Sequence, residues 1–360
     1  MDSMKKTIVV AMSGGVDSSV VAAMLKEQGH NVIGITLQLY DHGLAVQKKG
    51  ACCAGQDIYD AKVVADTINI PHYVFDYENI FKQEVIDDFA DSYIRGETPL
   101  PCVRCNQSVK FKDLLASAKK LGADALATGH YVQKIINNGQ IELHKGATLA
   151  KDQSYFLFTI TKEQLDYLMF PLGAQTKEQT RKLAEKYGLK VADKPDSQDI
   201  CFVPEGNYKE VISKIRPQSA KPGKFIHVDG YELGEHKGII NYTIGQRRGL
   251  DISVGTPLYV IKIDSELNNV YVGPESFLFK TKFSLKDVNW IAEDINPYGA
   301  ELTVKIRSGA PVANAFLQMN NGIFEVELMQ QQKAITPGQA CVFYQENRLL
   351  GGGWITKEIL

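Results

Sequence analysis

The chain has no long hydrophobic run and no large excess of charge of either sign. Its 360 residues carry a formal net charge of −2, and no apolar stretch approaches the roughly 18 residues that a membrane-spanning helix needs. The N-terminus lacks the apolar segment of a secretory signal and soon enters a strand-like run. We therefore expect a cytoplasmic protein with no membrane partner, whose six cysteines are mostly thiols.

Internal repeats and low-complexity tracts are also absent, and the length predicts two or three domains. Charge is unevenly spread: residues 57–100 carry a net charge of −7 and residues 207–248 a net charge of +4. A basic stretch can hold a polyanion such as nucleic acid, although a solvated protein surface has the same composition.

Strand and helix patterns alternate over the first 130 residues. Strands are predicted at 7–11, 32–37, 72–75 and 123–128, and helices at 20–25, 57–68, 80–93 and 109–121. Residues 132–144 read as a hairpin, and residues 163–188 as a charged helical connector. Short strands then dominate, including one at 239–244. The pattern predicts an α/β domain with a doubly wound parallel sheet over 1–205, then two small β-rich, barrel-like domains over 206–278 and 279–360.

The first strand runs directly into Ser13-Gly14-Gly15-Val16-Asp17-Ser18 and a helix. This order directs backbone N–H groups and the positive end of a helix at one point, where phosphate binds. The stretch is not a Walker A loop, because it has no lysine, and it is not GxGxxG. An ordinary Gly-Ser turn before a helix is the alternative.

The cysteines admit several interpretations. Cys102 and Cys105 form a CxxC pair, and Cys52-Cys53 lies some fifty residues earlier. Together they could bind zinc, although adjacent cysteines are poor zinc-finger spacing; CxxC alone is also a redox signal. Cys201 lies in a polar stretch and is a candidate catalytic thiol, whereas Cys341 lies in an apolar strand and reads as a core residue.

Six motifs occur in order along the whole chain. They are SGGVDS at 13–18, Cys105-Asn106 with the nearby VKF at 109–111, TGHY at 128–131, KDQSY at 151–155, DSQDICF at 196–202 and YTIGQRRG at 242–249. With them the chain resembles the tRNA-specific 2-thiouridylases, which are ATP pyrophosphatases of the PP-loop type with an adenine-nucleotide α-hydrolase-like sheet domain. The first motif is widely shared among such enzymes, and the last three are more specific.

The resemblance implies ATP-dependent replacement of the C2 oxygen of the wobble uridine in tRNA by sulfur, with Mg²⁺ as cofactor. It implies that Cys201 carries a persulfide received from a donor, a cysteine desulfurase or a relay protein. Cys105 is then the nucleophile that ends in a disulfide with Cys201. The ATP-binding residues it implies are Ala11, Met12, Ser13, Gly14, Gly15, Val16, Asp17, Ser18, Leu37 and Gly129. The tRNA-binding residues are His130, Lys151, Asp152, Gln153, Arg247, Arg248, Lys305, Arg307, Ser308 and Gln339.

Local chemistry adds two expectations. Cys105 reads as a residue at the start of a helix, with Asn106 as a possible cap, which would lower the pKa of the thiol. Leu100-Pro101-Cys102 replaces the family's usual Asn-Pro-Asp, so a carboxylate near the target base is missing. No resident metal site is expected, although an iron–sulfur cluster at the cysteines stays open.

Two rival functions remain. Another ATP pyrophosphatase, such as an amidotransferase-type synthetase or a lysidine synthase, would need no paired reactive cysteines. A non-catalytic, cysteine-rich zinc module that binds RNA would show no ATP turnover.

Overall fold

The computed structural model describes residues 5–40, 53–196, 200–203, 206–252, 254–299 and 301–357. The chain forms two compact units, the first from residues 1–85, 102–198 and 347–349 and the second from residues 86–101, 199–346 and 350–360. No helix among the described residues is long and apolar enough to cross a membrane. The predicted limits of the three domains remain predictions.

Seven strands lie wholly within the described part of the first unit. They are β1 Thr7–Ala11, β2 Asn31–Gln38, β3 His72–Asp76, β4 Ala125–Ala127, β5 Val132–Asn137, β6 Gln140–Lys145 and β7 Leu168–Met169. Five of them form a sheet in the order β3-β2-β1-β4-β7, with every pairing parallel. The parallel α/β sheet is therefore confirmed. Its core is built from small and β-branched side chains of β1 and the following helix.

Helices occur in all four predicted regions, but those predicted at 80–93 and 109–121 are each divided into short helices and a wide-turn segment, and the helix at 208–215 was not predicted. The helices are α1 Val16–Glu27, α2 Cys53–Thr67, α3 Glu78–Phe81, α4 Asp88–Ile94, α5 Pro101–Arg104, α6 Leu115–Lys120, α7 Lys162–Tyr167, α8 Lys177–Lys186 and α9 Tyr208–Ile215. Two wide-turn π segments, Lys82–Asp87 and Cys105–Leu114, join α3 to α4 and α5 to α6. Thr161 and Thr176 close capping boxes at α7 and α8, each with a glutamine three residues on.

The second unit is rich in strands. They are β8 Gly223–His227, β9 Glu232–His236, β10 Tyr259–Asp264, β11 Asn269–Gly273, β12 Phe279–Trp290, β13 Glu301–Lys305, β14 Ala313–Asn320, β15 Ile323–Lys333, β16 Ala340–Gln345 and β17 Arg348–Ile355. A four-stranded sheet has the order β10-β11-β8-β9. Strands β12 to β17 close into a six-stranded barrel through the β12–β17 pairing. Cys341 is fully buried in the barrel core, which confirms its interpretation as a core residue.

Three local predictions are wrong. Ile239–Asn241 form a 3₁₀ turn rather than a strand. The apolar run that predicted a strand arises because Ile239 packs into the core of the four-stranded sheet. Residues 163–188 are not one helical connector, because β7 interrupts them and pairs with β4. Asn106 is not a cap: the helical run begins at Pro101, and the Asn106 amide donates to the Phe156 carbonyl at 3.2 Å.

Candidate active site

The glycine-rich loop joins the end of β1 to the start of α1, as its sequence predicts. Ala11 ends the strand, Gly15 is the N-cap of the helix, and Asp17 lies in the first helical turn. The hydroxyl of Ser18 accepts from the Ser13 backbone N–H at 3.1 Å, and the Ser19 hydroxyl donates to the Gly15 carbonyl at 2.8 Å. These bonds hold a compact turn at the N-terminus of α1, and a helix N-terminus after such a turn is a place where phosphate can bind.

Two glycines permit close backbone contacts at the loop. Gly14 has φ +71°, and a Cβ there would lie 2.2 Å from the Asp57 carbonyl oxygen. At Gly129, just after β4, a Cβ would lie 2.9 Å from the Ser18 backbone nitrogen. Any larger residue at either position would have to displace backbone. Both glycines of the predicted nucleotide-binding set therefore lie against backbone: Gly14 contacts α2, and Gly129 contacts the first turn of α1.

Asp17 is held by two partners from distant parts of the sequence. The Lys177 ammonium donates to both Asp17 carboxylate oxygens, at 2.7 and 2.9 Å. The Tyr131 hydroxyl donates to Oδ1 at 2.8 Å, and burial raises the pKa of Tyr131. Because Thr176 caps α8, Lys177 is the first residue of that helix and its side chain is fixed beside the loop.

Asp196 completes this ion network. Its carboxylate accepts from Lys177 and Lys151, both at 2.8 Å, and from Arg181 at 3.3 Å. Burial by itself raises the pKa of Asp196, but the hydrogen bonds and charges of Lys151 and Lys177 outweigh it and lower the pKa to about 2. Asp196 is therefore ionised at neutral pH.

A second cation contacts the loop backbone. The Lys194 ammonium donates to the Gly14 carbonyl at 2.9 Å, to Asp57 at 2.7 Å and to Asp60 at 2.6 Å. Both aspartates belong to α2, so Lys194 fastens this helix to the loop. Its partners raise the pKa of Lys194, although desolvation opposes them.

The environment of Cys105 differs from the expected one. Cys105 follows α5 and is buried, whereas Cys102 lies inside α5 and is exposed. Burial raises the pKa of the Cys105 thiol, and the charge of Lys110 only partly offsets it. The expected lowering of this pKa is therefore wrong for this state of the protein. The Lys110 ammonium is held by the Asn106 side chain at 3.0 Å.

His130 follows Gly129 at the same end of β4. Its Nδ1 lies 2.8 Å from the Thr128 hydroxyl, and its ring packs between Phe111 and Phe170. Desolvation lowers the pKa of His130 to about 3, with a contribution from Lys110, so the ring is neutral at physiological pH. A neutral ring in this setting can donate or accept a hydrogen bond but carries no charge toward a phosphate.

The Lys151-Asp152-Gln153 stretch is held in the first unit by hydrogen bonds from backbone N–H groups to its side chains. The Gln153 side chain accepts from the Tyr131 backbone N–H at 2.9 Å, and Asp152 accepts from the backbone N–H groups of Gly146 and Ser154. Leu37 is half-buried near the end of β2. Met12, also in the predicted nucleotide-binding set, is buried.

The remaining predicted residues lie in the second unit. Cys201 is exposed, and the ring of the next residue, Phe202, packs edge-on against Phe89 at 5.2 Å. Arg247, Arg248, Arg307 and Ser308 are exposed, Lys305 is partly exposed, and Gln339 is buried. The Gln339 amide donates to the Thr98 carbonyl at 3.0 Å, and Arg307 donates to the Lys333 carbonyl at 3.2 Å.

The four cysteines whose side chains are described, Cys102, Cys105, Cys201 and Cys341, are thiols, so the expected disulfide is not formed in this state. Within the described ranges, no group of three or more His, Cys, Asp and Glu side chains is arranged to hold a metal ion. Cys52 and the side chain of Cys53 lie outside the described part of the chain, so the four-thiol zinc interpretation stays a prediction.

Sequence reasoning missed the ion network around the loop. Lys177, Lys194, Asp57 and Asp60 were not singled out, and Asp196 was noted only as part of a motif. A usable signal existed, because Asp196 is the first residue of the DSQDICF segment and Lys194 lies two residues before it. The carboxylate partners of Lys194, however, are more than 130 residues away in the sequence.

Three family models cover nearly the whole chain. They are a tRNA methyl transferase HUP domain over residues 6–205, a tRNA methyl transferase PRC-barrel domain over 209–274 and an aminomethyltransferase beta-barrel domain over 280–355. Taken with the sheet and the loop, they define the chain as a HUP-domain protein followed by two β-rich domains.

Close relatives identify the family. A tRNA-specific 2-thiouridylase MnmA of Rickettsia conorii is 66% identical over 99% of this chain and 96% of its own length. The protein of the same name from Rickettsia prowazekii is 65% identical over 98% of this chain and 99% of its own. The chain belongs to the family of tRNA-specific 2-thiouridylases.

Among solved structures, a 4-thiouridine synthetase–RNA complex with bound ATP covers 59% of this chain and 50% of its own. The two chains are 14% identical in sequence, and the TM-score is 0.37.

Proposed function

We propose that the protein replaces the C2 oxygen of the wobble uridine of tRNA with sulfur and converts ATP to AMP and pyrophosphate. The observation that carries the proposal is the glycine loop between β1 and α1, whose Gly14 leaves no room for a side chain. Such a loop cradles phosphate through backbone N–H groups. Family membership over the whole chain supplies the substrate class.

In the first half-reaction, the uridine O2 attacks the α-phosphate of ATP and pyrophosphate leaves. An amide-like oxygen is a poor leaving group, and adenylation makes it a good one. The loop N–H groups and the N-terminus of α1 stabilise the negative charge that grows on the phosphate. Asp17, whose carboxylate oxygens both accept from Lys177, would hold Mg²⁺ together with the nucleotide phosphates, and the ion would neutralise phosphate charge there.

In the second half-reaction, Cys201 carries a persulfide formed by a sulfur donor outside this chain. Its terminal sulfur attacks C2, directly or after release as hydrosulfide, and AMP leaves with the former O2. The Cys105 thiolate attacks the Cys201 sulfur, which releases the transferred sulfur and forms a Cys105–Cys201 disulfide; an external thiol reductant restores both thiols. Burial raises the pKa of Cys105, so its thiol is protonated at neutral pH in this state. Only a thiolate is nucleophilic, so the thiol must lose this proton before it attacks.

The tRNA is held chiefly by phosphate contacts, and the wobble base is flipped into the site. Arg247, Arg248 and Arg307 are exposed cations that suit these contacts. His130, Lys151, Asp152, Gln153, Lys305, Ser308 and Gln339 complete the proposed tRNA-binding set. We place the reaction in the cytoplasm, where tRNA and persulfide donors are available.

The test is mass spectrometry of unmodified tRNA after incubation with the protein, Mg–ATP and a persulfide source. We expect 2-thiouridine at the wobble position with AMP and pyrophosphate, and loss of the thiolated product in Cys105→Ser and Cys201→Ser. Cys341→Ala is the matched cysteine control, because this residue lies in the barrel core. AMP without sulfur in the RNA would indicate another ATP pyrophosphatase. RNA binding without ATP turnover would indicate a non-catalytic module. Activity that requires stoichiometric iron would favour a cluster at the cysteines.

A further inference from the structure

Asp196 occupies a distinctive place along the chain. It lies five residues before Cys201 and two residues before the end of the main part of the first unit. Its carboxylate is shared by three cations, Lys151, Lys177 and Arg181. None of the roles assigned above uses this residue. A carboxylate held by three cations is a strong local anchor for the backbone that bears it, since charge-assisted hydrogen bonds are about twice as strong as neutral ones.

The anchor is connected to the phosphate loop through one side chain. Lys177 is buried, and its ammonium contacts Asp196 at 2.8 Å and Asp17 of the loop at 2.7 Å. The first residue of α8 therefore bridges the nucleotide-binding loop and the chain that continues toward Cys201. Lys194, two residues before Asp196, fastens the same segment to the Gly14 carbonyl.

We propose that Asp196 is a positioning residue for sulfur transfer: it fixes, relative to the phosphate loop, the point from which the Cys201 segment leaves the first unit. The inference rests on the proposed function. Its substance is that the two half-reactions depend differently on Asp196. Adenylation needs the loop and the bound uridine, whereas sulfur transfer also needs the Cys201 segment to start from a fixed place.

The contacts explain why the two effects separate. In Asp196→Asn the charge that holds Lys151 and Arg181 is lost, but Asp17 keeps both Lys177 and the Tyr131 hydroxyl. The loop also keeps its own bonds between Ser13, Ser18 and the Gly15 carbonyl. The phosphate loop therefore keeps its own contacts when those of Asp196 are weakened.

The experiment measures the ratio of AMP to 2-thiouridine formed from unmodified tRNA, Mg–ATP and a persulfide source by the full chain. In the wild type one AMP accompanies each sulfur transferred. In Asp196→Asn we expect AMP formation within about twofold of wild type and a ratio raised by about tenfold or more. When sulfur does not arrive, water hydrolyses the O2-adenylated base to uridine and AMP, which accounts for the excess.

Two variants control this result. Asp193→Asn removes the same charge three residues earlier from an exposed side chain and should leave the ratio at the wild-type value. Asp196→Glu keeps the charge and should bring the ratio back toward that value. A purely structural role for Asp196 would slow both half-reactions together and leave the ratio unchanged.

An unchanged ratio in Asp196→Asn overturns the inference, whether or not both rates fall. A raised ratio in Asp193→Asn overturns it as well, because the effect would then follow general charge. If the wild type thiolates tRNA normally while these results are obtained, the proposed function stands and only the inference fails. A wild type that forms no AMP refutes the proposed function and the inference together.

Discussion

Replacement of Gly14 by alanine tests whether the loop depends on close backbone contact. The residue has φ +71°, where an L side chain costs about 1–2 kcal/mol. A Cβ would also lie 2.2 Å from the Asp57 carbonyl oxygen, which is backbone and cannot rotate away. Forced displacement of packed atoms costs about 1–3 kcal/mol. We therefore expect Gly14→Ala to lower the free energy of unfolding by about 2–5 kcal/mol.

Gly15→Ala is the matched control. Gly15 has φ −91°, and its Cβ would meet only the Ser13 hydroxyl, at 3.5 Å. This substitution should change the free energy of unfolding by about 1 kcal/mol or less.

The assay is thermal unfolding followed by circular dichroism without nucleotide, so that phosphate binding does not contribute. The first unit has between 150 and 250 residues, a size at which 1 kcal/mol shifts the melting temperature by about 2–4 °C. The expected loss in Gly14→Ala therefore lowers the melting temperature by about 4–20 °C. Equal melting temperatures for the two variants would refute the steric reasoning. So would a Gly15→Ala variant that is the less stable of the two.

The remaining predictions concern ionisable groups. Lys194→Met leaves the Asp57 and Asp60 carboxylates without their shared cation and should cost about 1–3 kcal/mol in chemical denaturation; adding Asp57→Asn should recover part of this loss, and an additive result would contradict the ion-pair explanation. Because burial raises the pKa of Cys105, its alkylation followed by peptide mass spectrometry should be slow at neutral pH and accelerate above pH 9; fast alkylation at pH 7 would be inconsistent with that burial. The folded-state pKa of His130, about 3, lies below its ordinary value of 6.5, so the unfolded chain binds the proton first and stability falls as the pH drops through this window. His130→Gln should therefore flatten the stability profile between pH 6.5 and 3, and an unchanged profile would argue against a buried neutral ring.

The sheet and the loop were predictable because their signals are local. A β-branched run before two glycines and an apolar helix predicts strand, turn and helix within twenty residues, and β1 and α1 follow that order. The hairpin turn was equally readable, since Asn138 and Gly139 both have positive φ. Such signals need no knowledge of the rest of the fold.

The ion network was not predictable in the same way. Lys177 stands in a charged helix with an exposed-looking pattern, yet it is buried between two carboxylates, one of them 160 residues away in the sequence. Arg216 shows the same limit: it was counted within a basic stretch, but it pairs with Asp87 and Asp91 of the acidic stretch. Charge composition along the chain therefore overstated the basic surface available to RNA.

Cys105 shows how tertiary burial can reverse a local expectation. A cysteine read as the start of a helix suggests a lowered pKa, because a helix N-terminus stabilises a thiolate. In the structure the helical run begins one turn earlier, at Pro101, so Cys105 is set back from the positive end and lies in the core. Desolvation then dominates its pKa.

The surroundings of the phosphate loop are electrically balanced, and this bears on how the site attracts a nucleotide. The cations of the two ion clusters are Lys151, Lys177, Arg181 and Lys194, and the anions are Asp17, Asp57, Asp60 and Asp196. Equal numbers of each sign mean that these eight side chains carry no net charge among themselves. The N–H groups and the N-terminus of α1 would supply attraction for phosphate at short range. Under the proposed function, a nucleotide at the loop would also compete with these carboxylates for Lys177 and Lys194. Lys177 and Lys194 also hold the segment that leads to Cys201. A change in their contacts with the loop would therefore also change how this segment is held.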